Sequence, residues 1–238
     1  MERVKIGCCG FPKGMKHYFS QFRLVEVQKT FYRPPQLDTV LRWRQEAPPD
    51  FEFAVKAWQL VTHPASSPTY RKAELDIAPG REGSYGFFKP TAEVMEAWHR
   101  TEEIAEALQA RVIVFQCPPS FGEEGQNVEN MREFFSAIAR RFLFVWEPRG
   151  QWSQAGVRAL CEELDLVHCV DPLQREPLYG RISYFRLHGG RGYRHKYSDE
   201  ELGWLRDRWG SEPAYFLFNN LSMYDDALRL ESLFKGET

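Results

Sequence analysis

Charged and amide side chains recur at the ends of apolar runs in this sequence. Glu26 follows Leu24-Val25, Lys56 ends FEFAVK, Gln116 ends VIVFQ, and Glu147 and Arg149 close FVWEPR. Asp171 follows VHCV, Arg186 and His188 end YFRLH, and Asn219 ends YFLFN. Glu26 and Glu147 have the chemistry of a general acid/base pair or of metal ligands. Each carboxylate could equally serve only as counter-charge to Lys56, Arg149 or Arg186. His188 is a candidate proton carrier or ligand, or a satisfied histidine at a strand end. Asp171 would complete a divalent-metal set with Glu26, Glu147 and His188, although no H-E-x-x-H or comparable spacing supports one. Lys56, Arg149 and Arg186 suit an anion, and Gln116 and Asn219 would orient a substrate beside it.

For these residues to meet, the apolar runs must be parallel strands of one sheet. Strand-like runs at 4–9, 24–31, 51–57, 112–117, 142–147, 164–171, 183–188 and 214–219 alternate with helix-like stretches. Helical patterning is clearest over 91–109, where Thr91 can cap and Val94, Trp98, Ile104, Ala105 and Leu108 share a face. It recurs at 128–141, 154–164, 199–209 and 223–234. Eight βα units without a linker predict a single (β/α)8 TIM-type barrel over 1–238. The segment 62–90, rich in Pro and Gly and lacking an apolar period, predicts a long loop insertion after the third strand. Period-two alternation puts Glu26 with Gln28 on one face, Lys56 with Ala54, and Gln116 with Val114. It likewise groups Glu147 with Val145 (and Arg149 if the chain stays extended), Asp171 with Cys169, Arg186 and His188 with Tyr184, and Asn219 with Leu217. Polar groups inside a sheet are costly unless paired. Their repetition at one end of seven strands points to the C-terminal mouth, where barrels of this class place their active sites.

Beyond the seventh run the chain reads HGGRGYRHKY at 188–197, and Arg181 to Tyr197 contains five Lys/Arg and no acidic residue. Glycine-supported amides and Arg forks suit phosphate oxygens, although the segment matches neither a P-loop nor a dinucleotide fingerprint. Phe11, Phe31, Tyr32, Trp58, Phe121, Trp152, Tyr193 and Tyr197 could form an aromatic rim on which a sugar or base stacks; packing is the ordinary fate of such residues.

With 43% hydrophobic residues, the chain can build a large core, which excludes global disorder. A net charge of -2 offers no whole-molecule attraction to nucleic acid or anionic membrane. Cys8, Cys9, Cys117, Cys161 and Cys169 lack C-x-x-C spacing, consistent with buried thiols in a reducing compartment. No signal-like h-region or membrane-length apolar run is present, so a cytoplasmic location is expected.

Several blocks resemble a known family. IGCCGF at 6–11 is similar to an I-G-x-S-G-W strand, VEVQKTFYRPP at 25–35 to V-E-I-N-S-T-F-Y-R-x-P, and FEFAVKAWQLVTH at 51–63 to F-x-F-A-V-K-A-x-x-x-I-T-H. FQCPPSF at 115–121, WEPRGQW at 146–152, RLHGGRGY at 186–193 and YFLFNN at 215–220 continue the likeness in order. Together they resemble the YecE-like family, domain of unknown function 72. Phe11 and Gln28 stand where that pattern has Trp and Asn. The resemblance implies a TIM-type barrel and marks Glu26, Tyr32, Lys56, His63, Gln116, Glu147, Arg149, Arg186, His188 and Asn219 as carrying the pattern. It implies no reaction.

The favoured expectation is an enzyme of hydrolase or phosphodiester type acting on a phosphate- or sugar-bearing ligand. Glu26, Glu147 and His188 would be catalytic. Tyr32, Lys56, His63, Gln116, Arg149, Arg186, Tyr193 and Asn219 would bind substrate, and a divalent metal is possible. The alternative is a non-catalytic nucleic-acid-binding module using the basic loop 181–197 and the aromatic rim.

Overall fold

Runs such as VIVFQ and SYFRL carry apolar side chains on both faces, and only a sheet covered on both sides can bury them. The computed structural model describes residues 3–190 and 192–236; Arg191 of the basic segment lies outside them. Among the described residues the strands are β1 (Val4–Cys9), β2 (Leu24–Val27), β3 (Glu52–Lys56) and β4 (Val112–Gln116). They continue as β5 (Leu143–Glu147), β6 (Val167–Val170), β7 (Ser183–Leu187) and β8 (Ala214–Phe218). They form a closed barrel in chain order. Parallel pairing of Val4 with Ala214 through Cys8 with Phe218 joins the last strand to the first. The fold is therefore a TIM-type (β/α)8 barrel, as the strand pattern predicts.

Two cores follow from the alternation. Cys9, Leu24, Ala54, Val112, Val114, Val145, Val167, Cys169, Tyr184 and Leu217 fill the barrel interior. The opposite strand faces pack against the helices in a larger core. Helix Ala92–Ala107 illustrates that packing. The Thr91 hydroxyl accepts the Val94 N–H at 3.3 Å, and the buried Trp98 ring stacks on Phe115 at 5.9 Å. Burying each such aromatic side chain contributes roughly 1.5–3 kcal/mol.

Several predicted boundaries move. The second strand stops at Val27, and Lys29–Tyr32 is a short helix where a strand to residue 31 is expected. Gln28 already has helical dihedrals, and the Thr30 hydroxyl donates to the carbonyls of Val27 (2.9 Å) and Lys56 (2.7 Å), fixing the turn. The helix expected at 128–141 spans Gly125–Ala137. Helices Met15–Gln21 and Leu37–Glu46 have weak sequence signals: neither has a side-chain cap, and the second buries only Val40.

The segment 62–90 contains a short helix, Pro68–Lys72, and a 3-10 turn, Glu82–Ser84. Its return is pinned to the barrel. Gly86, Phe87 and Phe88 all have left-handed backbones, at φ 75°, 57° and 53°. Their N–H groups donate to the carbonyls of Leu60, Thr62 and Val61 at 2.9, 3.2 and 2.9 Å. Glycine is required at 86, because a Cβ there would lie 2.2 Å from the His63 carbonyl. Among the described residues no helix is long and apolar enough to cross a membrane.

Candidate active site at the C-terminal mouth of the barrel

Alternation along a strand decides which side chains face inward, and barrel closure decides which of them meet. Arg186, at the end of β7 and 1% exposed, is the hub. Its Nη1 donates to Gln116 Oε1 at 2.8 Å and to Glu147 Oε2. Its Nη2 lies 3.1 Å from Glu26 Oε1 and 3.4 Å from Gln28 Oε1. The guanidinium thus joins β2, β4, β5 and β7 across the barrel, which its fork geometry suits.

Glu26 lies beneath this hub with no exposed surface. Tyr184 donates its hydroxyl to Glu26 Oε2 at 2.9 Å, and Gln28 Nε2 donates to Oε1. Glu147 is the upper carboxylate. Its Oε1 accepts Arg149 Nε at 2.9 Å and lies 3.3 Å from His188 Nε2. Burial alone would raise the Glu147 carboxyl. Arg186, the His188 hydrogen bond and Arg149 together hold it well below the usual carboxylate range.

Pro148 ends β5, so Arg149 does not continue the strand; it folds back over Glu147 and is 37% exposed at the mouth. Arg149 Nη2 is 3.0 Å from His188 Nε2, and Asn219 Nδ2 is 3.3 Å from His188 Nδ1. These contacts permit two arrangements. If Nδ1 accepts from Asn219, Nε2–H faces Glu147. If the Asn219 amide is turned, Nδ1–H donates and Nε2 accepts from Arg149. The imidazole therefore sits between a donor and an acceptor, a position suited to moving a proton. Asp171 positions this strand end instead of facing it: its carboxylate accepts the backbone N–H groups of His188 and Leu173, both at 3.1 Å. The Asp171 carboxyl is raised, chiefly by burial.

Lys56 stands apart. Its Nζ lies 3.7 Å from the Phe31 ring centroid, the residue is 5% exposed, and among the described residues it has no hydrogen-bond or ion-pair partner. Burial and then Arg186 lower its amine to about 7, against the opposing pull of Glu26 and Glu147. His63 packs edge-on to the same Phe31 ring at 4.9 Å, its Nδ1 2.8 Å from the Thr62 hydroxyl. Burial, with Lys56 and Arg149 nearby, lowers His63 to about 3.

Above Glu147 opens a cavity of about 480 Å³. Arg149, Arg175, His168, His188, Gln174 and Tyr193 contribute to its walls. Arg149 Nη1 and the whole Arg175 guanidinium have no protein acceptor among the described residues. A larger cavity, about 840 Å³, lies at the other end of the barrel, and three of its cations pair with carboxylates. Lys5 pairs with Glu52, Arg23 with Asp50 and Lys235 with Glu231.

The structure thus brings Glu26, Lys56, Gln116, Glu147, Arg149, Arg186, His188 and Asn219 to one end of the barrel, and Tyr193 to its rim. His63 is reached only through Phe31, and Tyr32 is half-buried beside Lys72 Nζ, 4.9 Å from its ring. No group of three or more His, Cys, Asp and Glu side chains among the described residues converges to hold a metal, so Glu26, Glu147, Asp171 and His188 do not assemble as a ligand set. The glycine-rich loop also differs from an open amide cradle. Gly189 N–H donates to the Tyr197 hydroxyl at 2.9 Å, and Gly192 N–H to the Gly189 carbonyl at 2.7 Å. Of the expected aromatic rim, Phe31, Phe121 and Tyr197 are buried in the core, whereas Tyr193 is 53% exposed. Arg175 and Tyr184 are outside the predicted site set. Tyr184 shares the inward face of β7 with Arg186, a usable signal; Arg175 follows β6 in a loop and gives none.

A comparison with curated proteins gives no significant match. Among solved structures, a DUF72 family protein from Enterococcus faecalis V583 matches at a TM-score of 0.71 and 18% identity, covering 99% of this chain and 98% of that one. A DUF72 family protein from Thermotoga maritima MSB8 matches at 0.66 and 20%, covering 98% and 99%. Endonuclease IV from Thermus thermophilus matches at 0.54 and 12%, covering 99% and 98%, a likeness of fold. The family model described as protein of unknown function DUF72 matches residues 10–237, and the chain belongs to that family.

Proposed function

We propose that this chain is an enzyme that binds a phosphate-bearing substrate in the C-terminal mouth and cleaves a phosphate ester. One observation carries this reading: two guanidinium groups, Arg149 and Arg175, line the same cavity, and among the described residues Arg149 Nη1 and the whole Arg175 guanidinium have no protein acceptor. Two such forks match the oxygens of a phosphate. The cavity volume of about 480 Å³ fits a small phosphorylated molecule.

The buried network supports a division of roles among these residues. Glu147, kept ionised by Arg186, holds Arg149 through Nε and Nη2, both 2.9 Å from its Oε1, and leaves Nη1 for the substrate. His188, between Glu147, Arg149 and Asn219, carries the proton that ester cleavage must move. Glu26 and Gln116 hold Arg186, and Glu26 is too deeply buried to touch substrate. Tyr193 at the rim suits the sugar or base part of a ligand. The fold likeness to endonuclease IV is compatible with this reading at the level of architecture alone.

A second reading, binding of single-stranded nucleic acid, draws on Tyr193 beside the exposed Arg194 and Lys196. Turnover of a panel of phosphate mono- and diesters, with Glu147→Gln as control, separates the two. The enzyme reading expects turnover that Glu147→Gln abolishes in a protein that still folds. Turnover unchanged by Glu147→Gln removes Glu147 from the mechanism. Absence of turnover together with strongly salt-dependent DNA or RNA affinity favours the second reading.

A further inference from the structure

The cavity above Glu147 has a neighbour. A second cavity, of about 630 Å³, lies over the loops that follow β4 and β5, with Gly150, Gln151, Trp152 and Ser153 on its own side. Pro119, Arg149 and Arg175 line both cavities. The two guanidinium groups that keep N–H groups free of protein acceptors therefore stand on the border between them. The backbone holds this border in place. Gly150 packs so closely on the loop after β4 that a Cβ there would lie 2.0 Å from the Phe121 carbonyl. Glu123 N–H donates to the Gln151 carbonyl at 2.9 Å, and the Glu123 carboxylate accepts the Ser153 N–H at 2.7 Å. Trp152 Nε1 donates to the Phe121 carbonyl at 2.7 Å, which fixes the half-buried indole. Arg175 springs from a turn in which its own N–H donates to the Asp171 carbonyl at 3.0 Å.

We propose that the substrate is a phosphodiester, its phosphate on the Arg149–Arg175 border and its two organic groups extending one into each cavity. This rests on the phosphate reading of the mouth and narrows the substrate class. A phosphate held by guanidinium groups common to two cavities faces both. A monoester has one organic group and leaves one cavity empty, whereas a diester fills both. Charge agrees with this choice. Glu26 and Glu147 match Arg186 and Arg149 through direct contacts, which leaves Arg175 as the uncompensated guanidinium, and a diester carries a single negative charge. The walls beyond the border suit neutral groups. Tyr193, 53% exposed, offers a ring on the mouth side. On the other side stand the Trp152 indole and the Gln151 amide, which has no protein partner among the described residues, and no acidic side chain lines that cavity. Hydrolysis of such a diester joins the oxygen of water to phosphorus and breaks one ester P–O bond. The departing oxygen takes the bond pair and one proton of the water, and the other proton stays with the monoester product.

The test is calorimetric titration of the intact protein at pH 7.5 with three probes: inorganic phosphate, thymidine 5′-monophosphate and the dinucleoside phosphate thymidylyl-3′,5′-thymidine. The monoester carries close to two negative charges at this pH and the diester one, so charge alone favours the monoester. The diester is nevertheless expected to bind at least about fivefold more tightly, the gain that one further base against an aromatic wall provides. That ratio should fall at least about twofold in Gln151→Ala and further in Trp152→Leu. Trp152 also packs on Phe121 and Trp146, and the exposed Gln151 supplies the variant that leaves that packing intact. A diester that binds no more tightly than the monoester, while inorganic phosphate still binds through Arg149 and Arg175, overturns the proposal and leaves the phosphate reading standing. A diester advantage untouched by both variants also overturns it, because the second group then lies elsewhere. Binding of none of the three probes overturns both.

Discussion

Replacing Arg186 with methionine removes the hub while keeping a side chain of similar length. Two carboxylates, Glu26 with no exposed surface and Glu147 at 9% side-chain exposure, then lose their shared counter-charge. Breaking a buried ion pair by deleting one partner costs about 3–5 kcal/mol, because the other charge stays buried. Tyr184 still donates to Glu26 and Arg149 to Glu147, which argues for the middle of that range. For a chain of this size the loss lowers Tm by roughly 6–20 °C. The pH dependence is more diagnostic. In the wild type the Glu147 carboxyl is depressed, so its contribution is present above the unfolded carboxylate pKa and is lost as pH falls through the lower folded value. Without Arg186 the raising effect of burial faces weaker opposition, and protonating Glu147 relieves the penalty. Urea unfolding at pH 7.5 and pH 5 should therefore show a difference between wild type and Arg186→Met that shrinks toward acid. A loss below about 1 kcal/mol at pH 7.5, or one that grows toward pH 5, would refute the buried-hub account.

Three further outcomes follow from the same geometry. Lys56→Met should stabilise the fold by about 1–4 kcal/mol near pH 6, since a buried charge without a partner is replaced by an apolar chain. The unfolded chain holds the extra Lys56 proton between about 7 and the ordinary lysine value, so this gain should diminish as pH rises through that window; a loss of stability at pH 6 would contradict it. Gly86→Ala should cost more than about 2 kcal/mol in denaturant unfolding, because a left-handed backbone and the His63 carbonyl both oppose a Cβ; a cost under 1 kcal/mol would show that the insertion relaxes. His63, lowered to about 3, should show no imidazole titration by NMR between pH 8 and pH 5, and a midpoint above 5 would place it in a wetter environment.

Much of the site is legible as a pattern of facing. Period-two alternation, carried along eight apolar runs, puts Glu26, Lys56, Gln116, Glu147, Arg186 and Asn219 inside one barrel end. Partnership is not legible in the same way. Glu26 and Glu147 look equivalent in sequence, yet closure places one beneath Arg186 and the other above it, beside Arg149 and His188. Lys56 looks like a third cation for the carboxylates, whereas Arg186 occupies both and Lys56 rests on Phe31. The end of β2 is hidden because FYRPP is compatible with a strand, and only the bonds of Thr30 to Val27 and Lys56 turn it into a helix. The loop at 188–197 has glycines suited to an amide cradle, but the Tyr197 hydroxyl, brought back by the fold, takes the Gly189 N–H.

The central claim is that the mouth receives a phosphate group on Arg149 and Arg175. Calorimetric titration of the wild type, Arg149→Ala and Arg175→Ala with inorganic phosphate and glyceraldehyde 3-phosphate tests it directly. The account predicts saturable binding by the wild type, weakened at least about tenfold, or 1.4 kcal/mol, in each variant. Binding of equal strength in all three proteins, or none by the wild type at low-millimolar ligand, would contradict it.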